Sequence, residues 1–482
     1  MNGPIRRVAF VVAVLFTSLL ISTTWIQVID AGALAKKPTN VRTLYKQYGR
    51  QRGPLLVDGT SIAESTPSKD VYKYNRKYPG GAMYAPLTGY YSVVFGATGL
   101  ENAENDYLSG TSGQLFYRHF SDLLTGREAQ GAQVELTIQA KAQQAAYKAL
   151  GTQRGAVVAL DPKTGDVLAM VSRPSYDPNK LSTHSRKAAL KVSQQLNGDK
   201  NNPLLNRAVT FTYPPGSTFK LIMSAAALSN GYTLNSQLDG PAALPLPQTH
   251  ISLHNDNNQA CGPNNKTTLI HALEISCNTA FASLGLKLGQ QTVRDQAQKF
   301  GFGQQLSIPL SVSKSTIPST LNQPQLAQSS IGQFEDKVTP LQMAMVAAGI
   351  ANNGTVMRPN LIKRVTTSDL KTIDTPQPEK LSEAVTPDVA QQLTTMMEDV
   401  VTNGTGTRAQ IPGVKVAGKT GTAQHGANNP PHAWFVSFAP ADNPQVAVAV
   451  VVEDGGHAGN EAFGGTVAAP IAKAVMEAVI NK

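Results

Sequence analysis

The chain has 482 residues, 15% charged and 41% hydrophobic, with 42 lysines and arginines against 32 acids, a net charge of +10. A charged share this far below the roughly 25% of soluble proteins, at a mean hydropathy of −0.18, excludes a disordered chain and a polytopic membrane protein alike. The basic excess points to an anionic partner (nucleic acid, lipid surface or wall polymer) without choosing among them, and the length sets a prior of about three domains.

Val8 to Ile29 is a run of 22 residues without a charge, about 33 Å as a helix and enough to cross a bilayer. Arg6 and Arg7 precede it and Asp30 follows. The positive-inside rule therefore predicts a cytoplasmic tail at 1–7, a transmembrane anchor at 8–29 with Trp25 near its outer end, and an extracytoplasmic body on the plasma membrane. A cleaved signal peptide is the rival reading, since Ala33-Leu34-Ala35 imitates a cleavage site and would leave a mature N-terminus near Lys36. The apolar run exceeds the roughly 7–15 residues of a signal core, which favours the anchor. Outside the cytoplasm nucleic acid drops out as a partner and disulfides persist. Cys261 and Cys277 are the only cysteines. They either form one bridge, closing a loop of about 15 residues, or stay as two buried thiols.

Between 30 and 135 the turn signals Gly53-Pro54, Asp58-Gly59 and Pro79-Gly80-Gly81, with short alternating runs between them, predict a small β-containing, non-catalytic module. Asp58, Glu101 and Asp106 read as solvated loop acids. The texture changes near 130–140, where a strand pattern at 133–138 leads into an alanine-rich helix at 139–150; the last domain is taken as 136–482. A hairpin follows at 155–172, turning at Asp161-Pro162-Lys163-Thr164-Gly165. Near the C-terminus come strand patterns at about 414–423, 433–439 and 445–453, then a helix at 466–480. The predicted fold is α+β: a mainly antiparallel five-stranded sheet carrying helices and an inserted helical region at 175–410, with the small module and one transmembrane helix in front.

A serine becomes a nucleophile when something takes its proton, and a lysine three residues later on a helix shares its face. Ser-x-x-Lys occurs three times, at Ser217/Lys220, Ser311/Lys314 and Ser368/Lys371. Ser217 follows Tyr213-Pro214-Pro215-Gly216 and opens an apolar helical run, so it sits at a helix start after a glycine turn, where unpaired N–H groups gather. The other two lie among prolines or in a polar strand-turn-strand pattern. Lys-Thr-Gly occurs twice. Lys163-Thr164-Gly165 is the hairpin turn, whereas Lys419-Thr420-Gly421-Thr422 lies on a strand whose Thr420 and Thr422 share a face and whose glycine lets a ligand approach the backbone. Ser-x-Asn occurs once, at Ser276-Cys277-Asn278, interrupting a helical stretch. His250 and His254 have metal-ligand spacing but no third ligand in register, and no phosphate loop or dinucleotide fingerprint appears. Neither metal nor cofactor is expected.

The set S-x-x-K, S-x-N and K-T-G marks serine β-lactamases and penicillin-binding proteins. Together with NRAVTFTYPPGSTFK (206–220), IGQ (331–333), TPLQMA (339–344), NNGT (352–355), VVTNGTGTRA (400–409), VAGKTGTA (416–423), HAWFVSFAP (432–440) and GGTVAAPIA (464–472), it makes residues 150–482 resemble the class B, monofunctional penicillin-binding proteins. The anchor and the first module resemble them more loosely, through Arg52-Gly53, Asp58 and the Tyr78-Pro79-Gly80 region, most like the actinobacterial penicillin-binding protein A type. Two departures stand out: Cys277 inside Ser-x-Asn, and Phe334 where glycine often follows Ile-Gly-Gln.

The resemblance implies a serine β-lactamase/D,D-transpeptidase-like fold with helices on both sheet faces and a pedestal- or dimerisation-like first module. It implies a peptidoglycan D,D-transpeptidase of wall synthesis and division that β-lactams acylate. Ser217 would be the nucleophile and Lys220 its base. Ser276 would pass a proton to the departing D-Ala, Asn278 would hold the substrate amide, and Lys419, Thr420, Gly421 and Thr422 would bind the terminal carboxylate. The backbone N–H groups of Ser217 and Thr422 would form the oxyanion hole. Lys220 must then be neutral, through desolvation or a nearby cation such as Lys419. Stem peptides ending in D-Ala-D-Ala are the implied substrate, and a separate membrane glycan polymerase and cell-division proteins the implied partners. The same motifs also serve a D,D-carboxypeptidase, a β-lactamase-like hydrolase, or a β-lactam sensor or divisome scaffold that does not turn over.

Overall fold

The computed structural model describes residues 3–35, 45, 47–115, 130–426 and 429–481. The first two residues of the expected tail, Lys36 of the signal-peptide reading, and 116–129 of the expected module lie outside the described residues. Helix α1 (Gly3–Thr24) continues helically to Ile29, giving 27 residues with no burial in their most apolar window, about 40 Å of helix. This is long and apolar enough to cross a membrane, consistent with a single-pass anchor. The helix starts five residues ahead of the uncharged run, taking in Arg6 and Arg7.

Strands β1 (Leu55–Val57) and β2 (Thr60–Pro67) turn through Asp58-Gly59, and β3 (Tyr74–Lys77) follows. Strand β4 (Gln133–Leu136) then lies parallel to β1, with Leu55 opposite Val134. Asp58 is not merely solvated: its Oδ2 accepts the Ala140 backbone N–H at 2.8 Å, satisfying a free donor at the start of α2 (Ala140–Leu150). Glu101 departs further from the sequence reading. It is fully buried between Arg52 Nε at 2.5 Å and Arg76 Nε at 2.6 Å, with the Tyr78 hydroxyl donating at 3.2 Å. Burial pushes its pKa up, but the two guanidiniums more than offset this and hold the carboxyl below its ordinary value. Asp106 stays exposed, as expected.

The hairpin β5 (Gly155–Leu160) and β6 (Val167–Arg173) leads into the helical region, which contains α3 (Lys220–Ser229), α4 (Asn278–Leu288) and α5 (Pro340–Ala351). Buried on every side from Pro340 to Ile350, α5 has the profile of a core helix. Its start is set by Pro340 and by the Thr339 side chain, which accepts the Gln342 N–H at 3.1 Å. A second hairpin, β7 (Ile362–Thr366) and β8 (Thr372–Asp374), precedes the closing strands β9 (Ala417–Ala423), β10 (His432–Ala439) and β11 (Val446–Val452) and helix α6 (Gly464–Ile480).

Two sheets organise these elements. The five-stranded sheet runs β9-β10-β11-β5-β6 and is antiparallel throughout. Both β10 and β11 are buried at every position, because successive residues feed opposite layers. Trp434, Val436 and Phe438 pack with α5 and α3, and Ala433, Phe435 and Ala439 with α6 and α2. The six-stranded sheet runs β8-β7-β4-β1-β2-β3. In it β7 pairs antiparallel with β4, and Glu135 on β4 binds Lys363 at 3.0 Å and Arg364 at 2.6 Å. A hairpin from the region read as helix- and loop-rich thus completes the sheet of the N-terminal module. Arg364 and Glu135 are 229 positions apart, beyond any local pattern.

Candidate active site

The site begins with how the chain reaches Ser217. The Tyr213 hydroxyl donates to Glu453 at 2.7 Å, the Trp434 ring N–H donates to the Pro214 carbonyl at 3.1 Å, and the Gly216 N–H donates to the Gly332 carbonyl at 2.9 Å. Two backbones cross here. Gly216 has φ +55° and Gly332 φ +71°; a Cβ would lie 2.6 Å from the Thr422 carbonyl oxygen at the first and 2.1 Å from the Gly216 carbonyl oxygen at the second. Only glycine fits either position. The tight turn Gly216–Phe219 then opens α3, placing Ser217 at the helix start and Lys220 one turn along.

Lys220 Nζ lies 3.0 Å from Ser217 Oγ, 2.7 Å from the Ser276 carbonyl oxygen, 3.2 Å from Ser276 Oγ and 2.6 Å from Asn278 Oδ1. Ser276 reaches this position because the helix breaks there: the short helix Leu269–Glu274 ends, Ser276 adopts φ +59°, and α4 starts at Asn278. Cys277 caps α4, its Sγ accepting the Ala280 N–H at 3.3 Å, and it is bridged to Cys261 with Cα atoms 6.1 Å apart. Of the two cysteine readings, the structure has the bridge.

From the edge strand β9, Lys419 Nζ donates to Ser276 Oγ at 2.9 Å and to the Thr420 carbonyl at 2.9 Å. Thr420 and Thr422 share a face lining a cavity of about 350 Å³ with Ser217 and Ser276. Gly421 points the other way: a Cβ there would meet Thr218 at 2.8 Å and Trp434 at 2.9 Å. It serves the packing of the strand against the Ser217 turn, not the approach of a ligand that the sequence suggested, because strand alternation sends it to the far side.

Both lysines are fully buried. Burial pushes the Lys220 ammonium down to about 7, opposed in part by the negative charge of Asp256. Burial, then the charge of Lys220, pulls Lys419 well below its ordinary value, again opposed by Asp256. Desolvation is thus the chief cause for both.

The motifs Ser217/Lys220, Ser276/Asn278 and Lys419–Thr422 therefore converge. The other copies do not: Ser311 ends the short strand Leu310–Ser311, Ser368 lies in the turn between β7 and β8, and Lys163 is in the hairpin turn with its Nζ donating to Asn443 at 3.1 Å. Phe334 takes φ +67°, so the loop keeps the glycine-favouring backbone although the residue is not glycine.

Sequence reasoning missed Asp256, whose Oδ1 accepts the Asn278 Nδ2–H at 2.9 Å, and the cavity residues Thr405, Arg408 and Phe463. Thr405 Oγ1 lies 2.6 Å from Thr420 Oγ1, and with Arg408 it falls in the VVTNGTGTRA stretch, a signal that was available. Nothing local marks Asp256. Among the described residues, the three ligand-type side chains that come close together are His425, His432 and Asp454 rather than His250 or His254. There the Asp454 N–H donates to His432 Nδ1 at 3.1 Å and the two imidazoles stack 3.6 Å apart, so that nitrogen's lone pair is already engaged.

Residues 155–477 match the family described as penicillin binding protein transpeptidase domain, and 52–134 match the penicillin binding protein A dimerisation domain. The chain belongs to the class B penicillin-binding proteins, with their transpeptidase domain and fold. Within that class it is 45% identical over 491 residues to the peptidoglycan D,D-transpeptidase PbpA of Mycolicibacterium smegmatis, covering 100% of both chains. It is 42% identical over 493 residues to the PbpA of Mycobacterium tuberculosis, covering 100% of this chain and 99% of that one. A solved structure of penicillin-binding protein A from M. tuberculosis, a ceftriaxone acyl-enzyme complex, superposes with a TM-score of 0.88 at 42% identity, covering 90% of this chain and 100% of that one.

Proposed function

We propose that this protein is a peptidoglycan D,D-transpeptidase that cross-links stem peptides through an acyl-enzyme on Ser217 and is acylated there by β-lactams. The observation that carries the assignment is the set of contacts around Lys220 Nζ. A neutral amine has two N–H groups and one lone pair. The two shortest contacts, to the Ser276 carbonyl at 2.7 Å and Asn278 Oδ1 at 2.6 Å, take the N–H groups, leaving the lone pair for the Ser217 hydroxyl at 3.0 Å. Lys220, poised near neutrality, takes that proton while Oγ attacks the penultimate D-Ala carbonyl. The backbone N–H groups of Ser217 and Thr422 stabilise the oxyanion, each worth roughly 2.7–4 kcal/mol. Thr420 and Thr422, backed by Lys419, bind the terminal carboxylate, and Ser276 returns a proton to the departing D-Ala. Asn278 has its amide engaged by Lys220 and Asp256, so it holds the substrate only through the N–H that reaches the His254 carbonyl at 3.4 Å.

In this reading residues 30–135 form a pedestal or dimerisation element and 136–482 the transpeptidase domain. The N-terminal helix anchors the chain with its tail in the cytoplasm and the body outside. A separate membrane glycan polymerase supplies the strands, within the division machinery. The test is labelling of the membrane-bound protein with a fluorescent penicillin, followed by digestion of cross-linked product. Ser217→Ala should lose all label, and the wild type should convert stem-peptide substrate into dimeric muropeptides. Label persisting on Ser217→Ala refutes the nucleophile assignment; trimmed monomers alone refute transpeptidation in favour of a carboxypeptidase.

A further inference from the structure

Among the described residues lining the cavity, two exposed side chains carry charge, Asp256 and Arg408; Asp256 is the one carboxylate. Its loop is fixed by the buried Asn255. Asn255 Oδ1 accepts the backbone N–H groups of Asn278 at 2.9 Å and Thr279 at 3.0 Å, and its Nδ2 donates to the carbonyls of Pro241 at 3.1 Å and Gln259 at 2.8 Å. Asp256 is thereby held at the start of α4, with Oδ1 on the Asn278 amide. Among the described residues no donor is bonded to its other oxygen.

Resting on the transpeptidase reading above, we propose that Asp256 receives the acceptor: the ammonium group of the incoming strand docks on the free oxygen of Asp256, next to the ester on Ser217. Once the terminal D-Ala has left, the second substrate is an alkylamine, which at neutral pH is a cation. Behind Ser217 and Ser276, which line the cavity, lie two buried lysines, with Lys220 Nζ 3.0 Å from Ser217 Oγ and Lys419 Nζ 2.9 Å from Ser276 Oγ, and any proton either carries repels that cation. Water, the competing nucleophile, meets no such barrier. A carboxylate at the rim offsets the repulsion for the amine alone, raising its local concentration relative to water. Selection of transfer over hydrolysis is thus placed in one side chain outside the three motifs. The docked ammonium loses one proton to solvent through the open cavity. The neutral nitrogen then adds to the ester carbon, the carbon–Oγ bond breaks, and the second amine proton passes through Lys220 Nζ to Ser217 Oγ. Amide and free serine result.

The experiment supplies the full-length enzyme with an N-acyl-D-alanyl thioester as donor and compares two acceptors at pH 7: D-alaninamide, mostly an ammonium ion, and hydroxylamine, which is uncharged. In Asp256→Asn the ratio of amide to hydrolysed product with D-alaninamide should fall about five- to tenfold, the scale of one partly screened ion pair. The hydroxamate ratio should change less than twofold, and Asp256→Glu should recover most of the loss. A parallel fall with both acceptors means that Asp256 acts only by holding Asn278, and overturns the proposal; so does no fall with either. Should Asp256→Asn fail to fold, the wild type decides. Raising ionic strength from 0.05 to 0.5 M should raise the KM for D-alaninamide and not for hydroxylamine, and an equal response overturns the inference. A wild type that makes hydroxamate but never the D-alaninamide product refutes the docking step alone. One that transfers to neither acceptor refutes the transpeptidase reading, and this inference with it.

Discussion

The pH dependence of acylation follows from the surroundings of Lys220. Its ammonium, 10.5 in water, is pushed down to about 7 by complete burial, a gap equivalent to on the order of 5 kcal/mol against the charged form. Only the neutral amine can take the Ser217 proton. The second-order rate constant for labelling by a fluorescent penicillin should therefore rise with pH, reach half its maximum near pH 7 and level off by about pH 8; at pH 6 roughly a tenth of the plateau should remain. Lys220→Arg, charged at every accessible pH, should lose about 10³-fold or more and show no such rise. The same gap acts on stability. The folded-state value is depressed, so between about 7 and 10.5 the unfolded chain holds the extra proton. This contribution is complete above the unfolded value and is lost as pH falls through that window to about 7. Stopped-flow labelling from pH 5.5 to 9 is the assay. A rate that is flat across this range, or that still climbs toward pH 10, would show that Lys220 is not the base or that its burial is not what tunes it.

Three further outcomes can be checked on the detergent-solubilised chain. Glu101→Ala should destabilise the fold by about 3–5 kcal/mol, because it leaves the buried Arg52 and Arg76 guanidiniums facing each other unpaired; a urea midpoint within error of wild type would contradict this. Gly216→Ala should retain the circular dichroism spectrum yet lower penicillin acylation about 100-fold, since its Cβ would sit 2.6 Å from the Thr422 carbonyl oxygen and push strand β9 off the Ser217 turn. Phe334→Gly should raise stability by up to about 1 kcal/mol, because the left-handed backbone at φ +67° costs phenylalanine and not glycine and its half-exposed ring leaves little burial to lose. A lowered thermal midpoint would show that the ring packs against something worth more than the strain.

What could be read from the sequence divides according to the range of the interaction. The convergence of Ser217, Ser276 and Lys419 was legible because each sits at a local break with its own signature: a glycine turn into a helix, an interrupted helix, an alternating strand with hydroxyls on one face. The five-stranded sheet was legible because β10 and β11 read as near-continuous apolar runs. Glu101 was misread because its partners, Arg52 and Arg76, lie 49 and 25 positions away, and nothing in a scattered acid announces a buried ion pair. The joining of β7 to β4, and the placing of Asp256 beside Asn278, rest likewise on contacts between distant segments. Gly421 shows a subtler limit: the requirement for glycine was legible, but whether the missing Cβ makes room for a ligand or for Thr218 depends on which face of β9 meets the helix.

The two buried lysines explain why Ser276 suits the role proposed for it. Its Oγ lies 3.2 Å from Lys220 Nζ and 2.9 Å from Lys419 Nζ. A hydroxyl has two lone pairs and one proton. With Lys419 donating to one lone pair and the other facing Lys220, the proton is turned outward, toward the cavity, where a leaving nitrogen would sit. When Lys220 takes the Ser217 proton it becomes a full ammonium with a third N–H, which is then available to Ser276 Oγ, 3.2 Å away, just as that hydroxyl must release its own proton. Lys419 supplies the standing half of this arrangement from the edge strand. Its removal should therefore impair departure of the leaving group as well as carboxylate binding, and in Lys419→Ala the loss in acylation should exceed the loss in affinity for a carboxylate-bearing product.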